Sequence, residues 1–144
     1  MENMRNYILL LVVFLFVGCD IEYSDNGDFD GRWHITSMKT DEGSVEDKSL
    51  QAYFWCVDTK LLQLRNTDGK ATTMLCRFKM KSDSLFITEV HYHNTGNGDA
   101  LISDTSLVYP YGLTQIPDTF RIISLSSDDM TLKSKHKTLT FEKY

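Results

Sequence analysis

Residues 72–81 read TTMLCRFKMK, and this stretch indicates the fold class. Its apolar side chains recur at every second position, as Met74, Cys76, Phe78 and Met80. Successive side chains of a β-strand point to opposite faces, so the pattern predicts a strand with one buried face. The preceding residues 67–70, TDGK, are typical of a tight turn because Asp-Gly accommodates positive φ.

The same alternation recurs on both sides of this stretch. It predicts further strands at residues 32–38, 52–57, 60–65, 85–89, 119–126, 130–134 and 139–144. Turn residues every eight to twelve positions or so are typical of an antiparallel up-and-down meander. Closing a sheet of about eight strands removes both unpaired edges, so we expect an all-β barrel, with a β-sandwich as the alternative.

Residues 91–118 do not follow this pattern. The segment is long and contains both prolines, Pro110 and Pro117. We expect a short strand at residues 100–103 and a helical turn at residues 113–116. Long connections are usually functional or disordered, and the apolar content here favours packing. The segment is therefore interpreted as a lid over the barrel mouth.

The N-terminus predicts export. Residues 1–18 combine a weakly positive start with an apolar run at residues 8–17, which is too short for a membrane span but suits a signal peptide. Residues 16–19, FVGC, resemble the bacterial lipobox, in which Cys19 becomes lipidated. A retained N-terminal anchor helix is the alternative. We expect a signal peptide at 1–18, an acidic spacer at 19–30 and one barrel domain at 31–144.

Charge excludes some partners. Removing residues 1–18 leaves the net charge at −5, because Arg5 and Glu2 cancel. An acidic chain without a basic stripe argues against nucleic acid and against electrostatic adhesion to anionic lipid. The expected membrane contact is the acyl anchor on Cys19, since two acyl chains make binding stable.

Cysteine use fits an exported protein. With Cys19 lipidated, Cys56 and Cys76 remain as an even pair in an oxidising compartment. They can form a disulfide or stay as two small buried hydrophobic residues. The sequence leaves both alternatives open, because it does not fix the Cα separation that a bond requires.

A family resemblance starts at Gly31-Arg32-Trp33. Lipocalins carry Gly-x-Trp at the start of the first strand, where the Trp closes the barrel bottom. The chain also resembles small lipocalin-like lipoproteins of Bacteroidetes, whose function is unknown. The features that carry this resemblance are the lipobox, the acidic spacer, residues 30–37 (DGRWHITS) and the later patterns Phe120-x-Ile122-x-x-Leu125 and Met130-x-Leu132. The resemblance implies a lipocalin-like barrel that is anchored by lipid in the cell envelope, at the periplasmic or surface face of the outer membrane.

A second lipocalin feature is an Arg near the last strand that stacks on this Trp. Arg121 lies two strands too early for this position. The nearest later cations are Lys133, Lys135 and Lys143.

The motifs for metal binding and catalysis are weak. Residues 26–31, NGDFDG, look like the first half of a calcium loop, but the position that needs a bidentate Glu is Ser37. His91 and His93 would share one strand face, yet no paired ligand spacing supports zinc. No nucleophile elbow, triad neighbourhood or phosphate-binding glycine loop is present. We expect a protein that is not an enzyme and has no cofactor and no metal.

Two functions remain. The slightly favoured one is a binding module that holds a small apolar or amphipathic ligand inside the barrel. Its candidate contacts are Trp33, Ile35, Met74, Phe78, Phe120, Ile122 and Phe141. The alternative is a filled barrel that docks onto another envelope protein through residues 91–118 or through residues 53–57, where both strand faces are apolar. An open interior would favour the first function, and a packed interior the second.

Overall fold

The computed structural model describes residues 23–93, 96 and 98–144. The signal peptide at 1–18, Cys19 and the start of the acidic spacer lie outside the described residues. The strands are β1 (Gly31–Thr40), β2 (Val45–Asp47), β3 (Tyr53–Asp58), β4 (Leu61–Asn66), β5 (Met74–Lys81), β6 (Ser84–Tyr92), β7 (Asp118–Leu125), β8 (Asp129–Lys133) and β9 (Lys137–Lys143). Three short 3-10 turns lie at Gly27–Phe29, Thr105–Leu107 and Tyr109–Tyr111.

The strands form a closed antiparallel barrel. The sheet order is β2-β1-β3-β4-β5-β6-β7-β8-β9, and β1 also pairs with β9. Eight strands therefore close the barrel, and β2 is an extra strand beside the second half of β1. The predicted all-β barrel is confirmed, and the sandwich alternative is wrong. The closed sheet and its core lie within residues 23–144, so we expect this segment to fold without the preceding residues.

The period-two pattern positions the core, and β-bulges adjust its phase. Strand β5 buries Met74 and Cys76 while Arg77 and Lys79 are exposed. In β1, the register against β9 shifts between Ile35 and Ser37. A bulge adds one residue to a strand, so Met38 is buried where strict alternation placed Ser37.

Other local predictions differ from the structure. The short strand β2 was not predicted from the sequence, and the strand expected at 100–103 is a single bridge between His91 and Leu101. The helical turn expected at 113–116 is wrong, since the described 3-10 turns of this segment precede it. The second of these turns ends at Gly112, which has a φ of 92°. The sequence pattern did not predict this turn.

Cys56 and Cys76 are both free thiols. Cys56 lies on β3 and Cys76 on β5, with β4 paired between these strands. Cys76 belongs to the buried inward set, whereas Cys56 alternates with the inward Trp55 and Val57 and faces outward. The disulfide alternative is therefore wrong, because the two side chains point to opposite faces of the sheet.

We expect both thiols to react slowly in the folded protein. Burial raises the pKa of Cys76 to about 12, and burial also raises the pKa of Cys56. Because the thiolate is the reactive form, alkylation near neutral pH should be slow, and slowest at Cys76. Mass spectrometry of residues 23–144 without reductant should show one adduct on each cysteine after unfolding in urea. A product that resists alkylation after unfolding would contradict the free pair.

Candidate functional site

The bottom of the barrel is closed around Trp33. This side chain has no exposed surface, and its indole Nε1 donates a 2.8 Å hydrogen bond to the backbone carbonyl of Phe29. Phe29 ends the first 3-10 turn, and its ring packs edge-on against Phe78 with centroids 5.5 Å apart. The Lys143 Nζ lies 4.5 Å from the Trp33 ring centroid. The turn before β1 therefore acts as a cap on this end of the barrel.

The calcium-like residues 26–31 form part of this cap. Lys143 Nζ donates hydrogen bonds to the backbone carbonyls of Asp28 at 2.9 Å and Asp30 at 2.7 Å. The Asn26 amide donates to the Asp30 carboxylate at 2.7 Å and to the Thr59 carbonyl at 2.6 Å. Two groups that a calcium loop would use as ligands, the Asn26 amide and the Asp30 carboxylate, are thus hydrogen-bonded to each other, and the Lys143 ammonium lies on the backbone of the same loop. Among the described residues no group of three His, Cys, Asp or Glu side chains is arranged to hold a metal ion.

The interior is filled by side chains of the strands. Of the residues predicted to line a ligand site, Trp33, Ile35, Met74, Phe120 and Phe141 have 0% exposure, and Phe78 and Ile122 pack against the same core while partly buried. The structure brings all of them together in one cluster. Trp55, which the sequence analysis did not select, lies at its centre, 5.5 Å from the Phe120 ring and 5.0 Å from the Phe141 ring.

The barrel mouth is filled from a different part of the chain. Among its described residues, the connection between β6 and β7 contributes four buried apolar side chains, namely Ile102, Val108, Tyr111 and Leu113. We call these four residues the plug. The lid expected from the sequence thus inserts side chains into the barrel as well as covering it.

Tyr111 anchors the plug. Its backbone carbonyl accepts a 3.0 Å hydrogen bond from Trp55 Nε1, and its hydroxyl donates a 2.9 Å bond to the Thr72 carbonyl. The Tyr53 ring lies edge-on at 5.4 Å. Burial raises the pKa of Tyr111 above its ordinary value, with Tyr53 and Asp68 adding to the effect. The neutral phenol therefore satisfies its polar atoms while it fills the mouth.

Glycine is required directly after Tyr111. A Cβ atom on Gly112 would lie 2.6 Å from both methyl carbons of the buried Leu139 side chain. The positive φ of 92° also disfavours other residues. At the end of the segment, the buried Asp118 carboxylate accepts hydrogen bonds from the backbone N–H groups of Thr114 and Thr119, both at 2.9 Å. These contacts hold the plug in one conformation.

Comparison with known proteins identifies the family. A family model described as a lipocalin-like domain matches residues 14–144. The chain belongs to the lipocalin-like domain family. No curated protein matches it.

Two solved structures share this lipocalin-like fold. One is a lipocalin-like protein from Bacteroides uniformis, with a TM-score of 0.62, 18% identity and coverage of 82% of this chain and 100% of that one. The other is an uncharacterized protein from Bacteroides eggerthii, with a TM-score of 0.56, 20% identity and coverage of 80% and 98%. At these identities the likeness shows the fold alone.

Lys143 occupies the place of the stacking cation expected in lipocalins. It was one of three lysines near the last strands that the sequence could not separate. The register of β9 against β1 decides among them, because it pairs Lys143 directly with Trp33. A lysine therefore takes the role for which the lipocalin pattern uses arginine.

The outer face of residues 53–57 is covered. Phe54 is only 5% exposed, although it points away from the core. The Arg32 guanidinium carbon lies 4.2 Å from the Phe54 ring centroid and 4.5 Å from that of Tyr144, and His34 stacks on Phe54 at 5.0 Å. Side chains of β1 and the C-terminal Tyr144 thus cover this face. It is not an exposed docking patch.

Apolar side chains remain exposed near the mouth. Leu101 is 66% exposed, Tyr109 47% and Tyr92 39%. We call these three residues the mouth patch. Beside it, a groove of about 330 Å³ is lined by Leu61, Leu75, Cys76, Arg77, His91 and Asp99.

His91 has a structural role in this groove. It belongs to β6, with Nε2 3.0 Å from the Glu89 carboxylate and Nδ1 3.2 Å from the Asp99 carbonyl. Its ring therefore connects β6 to the segment that carries the plug. His93 follows β6 and is exposed. Among the described residues, no helix is long and apolar enough to span a membrane.

Proposed function

We propose that this lipocalin-like chain is a lipid-tethered, non-enzymatic protein of the cell envelope, held at the outer membrane through Cys19. Its barrel serves as a rigid scaffold that docks onto another envelope protein. The packed interior supports this function over the carriage of a small ligand, because the space that a ligand would need is occupied by the core and the plug. The FVGC sequence supports the tether.

The mouth patch is the surface we propose for docking. Of the two surfaces considered from the sequence, residues 53–57 are covered, whereas residues 91–118 keep Leu101 and Tyr109 exposed. A contiguous patch of exposed apolar side chains is typical of a protein interaction site, and the bridge between His91 and Leu101 brings Leu101 beside the end of β6, where Tyr92 lies. Backbone hydrogen bonds fix the chain on both sides of Leu101, from the Tyr92 N–H to the Ala100 carbonyl at 2.9 Å and from the Ile102 N–H to the Val90 carbonyl at 2.8 Å, which lowers the entropy cost of binding.

A pull-down from detergent-solubilised envelope membranes of the native host tests this proposal. The full chain and a Leu50→Asp control should recover the same stoichiometric partner, since Leu50 is 99% exposed but lies outside the mouth patch. A Leu101→Asp/Tyr109→Asp variant should lose at least about tenfold of that partner, because a charge at the centre of an apolar contact is desolvated without compensation. Cys19→Ser should leave the membrane fraction. Equal recovery by the mouth variant would contradict the docking surface, and retention of Cys19→Ser in membranes washed at high salt, where electrostatic adhesion is screened, would contradict the tether.

One observation favours a small ligand as a second candidate function. A connecting segment, and not the strands, fills the mouth, so displacing the plug would open space between Tyr53 and Trp55 for a small apolar or amphipathic molecule. Native mass spectrometry of the domain isolated from its own envelope distinguishes the two functions. A bound small molecule would support this candidate, and a bare domain would support the scaffold.

A further inference from the structure

A row of basic residues crosses the outer face of the barrel. Six residues on six adjacent strands lie side by side, because the strand registers pair each of them with the next. Their order is Lys81, Ser84, Arg121, Lys133, Thr138 and Lys39. Each alternates with buried core residues of its own strand and so points outward. We call the four cations Lys39, Lys81, Arg121 and Lys133 the basic row.

The basic row lacks internal neutralisation over most of its length. Lys133 pairs with Asp41 at 3.1 Å. Within the described part of the chain, Lys39, Lys81 and Arg121 have no ion pair with a carboxylate. Arg121 lies directly opposite Lys133, and like charges at such positions destabilise a sheet. The chain has 20 acidic residues, yet these four cations share one row, where their mutual repulsion lowers stability. A cost of this kind is typical of residues that serve a function, so the row points to an external anion as its partner.

We propose that the basic row docks the domain onto an anionic lipid surface. This inference rests on the proposed tether for its choice of partner. Cys19 precedes the first described residue, Tyr23, by a chain that can span at most about 14 Å. A tethered barrel is therefore held against lipid headgroups, and the face with unpaired cations gains most from that contact.

Net charge pointed to the opposite conclusion in the sequence analysis. Averaging charge over the chain hid the basic row, because its members come from β1, β5, β7 and β8 and lie far apart in sequence. Electrostatic attraction falls off within about 10 Å at ordinary ionic strength, so a local cluster can bind a surface that the whole molecule would not. The earlier expectation of no electrostatic adhesion to anionic lipid is therefore replaced by this proposal.

The test uses residues 23–144, which lack Cys19, and phosphatidylglycerol-rich vesicles. Co-sedimentation should show binding at low ionic strength, loss of binding at high salt and no binding to pure phosphatidylcholine vesicles. Lys81→Gln/Arg121→Gln should bind about fivefold more weakly for each cation removed, or on the order of twentyfold together. Arg65→Gln/Lys70→Gln removes the same charge on β4 and its following loop, and should bind as the unmodified domain does.

Three results would overturn the proposal. The domain could fail to bind anionic vesicles at low salt, or the Arg65/Lys70 control could lose as much vesicle binding as the Lys81/Arg121 variant. The domain could also bind a nucleic acid more tightly than it binds the vesicles. Unfolding is not expected to confuse the readout, because removing Arg121 from its position opposite Lys133 should leave the melting temperature unchanged or higher. The tether is tested separately by washing Cys19→Ser membranes at high salt, which removes electrostatic binding, so failure of one proposal is distinguishable from failure of the other.

Discussion

Tyr111→Ala is expected to lower the free energy of unfolding by roughly 3–5 kcal/mol, the range for truncating a large buried aromatic side chain. Tyr111 has no exposed surface and fills the barrel mouth against Tyr53 and Trp55. The substitution removes the ring and also leaves the Thr72 carbonyl without the hydroxyl that donates to it. Domains of this size have total stabilities of about 5–15 kcal/mol, so the loss is a large share.

Tyr109→Ala is the matched control, two positions earlier in the same 3-10 turn. Tyr109 is 47% exposed, so its truncation should change stability by no more than about 0.5 kcal/mol. Urea denaturation of both variants, followed by tryptophan fluorescence, gives the comparison. The Tyr111→Ala barrel should also take up a small apolar dye that the unmodified barrel excludes, since the new cavity is apolar. Similar stabilities of the two variants would show that the plug does not belong to the core.

Trp33→Ala is expected to have a comparable effect at the opposite end of the barrel, a loss of roughly 3–5 kcal/mol. The indole fills the barrel bottom, donates to the Phe29 carbonyl and lies under the Lys143 ammonium. Its removal therefore releases the cap formed by residues 26–31 as well as creating a cavity. Thermal unfolding followed by circular dichroism measures the loss.

Two further variants separate packing from the polar contacts of Trp33. Trp33→Phe keeps most of the buried ring but removes the indole donor, so it should cost about 1–3 kcal/mol. In a double-mutant cycle, Trp33→Ala and Lys143→Met should be non-additive by about 0.5–2 kcal/mol if the ammonium interacts with the ring. Full additivity would mean that Lys143 contributes only through the carbonyls of Asp28 and Asp30.

Much of the fold was predictable because period-two alternation is a local property. Strand β5 was recognisable from residues 74–80 alone, since each side chain reports which face it occupies. The same reasoning placed Phe120 and Phe141 in the core. It failed at Ser37, where a bulge changes the phase, because an added residue leaves no mark in a pattern of apolar and polar positions.

The candidate site was less predictable, because it depends on contacts between distant residues. Trp55 lies within residues 53–57, whose apolar pattern on both faces does not single it out, although its contacts with Phe120 and Phe141 place it at the centre of the core. The residues of the plug follow no periodic pattern of apolar positions, so the sequence does not predict their placement. Their geometry depends on the close approach of Gly112 to the Leu139 side chain. The signal that could have found it is the glycine directly after Tyr111, since glycine is favoured where a short helical turn ends in the left-handed region.

The sequence by itself determined that the chain is an all-β domain with one apolar face per strand, because alternation acts between neighbouring residues. Only the tertiary structure decided which lysine covers Trp33, that a connecting segment fills the mouth, and that cations from separate strands align on the outer face. Strand register and chain closure set these contacts, and both depend on free energies summed over the whole barrel. No single stretch of sequence contains that sum.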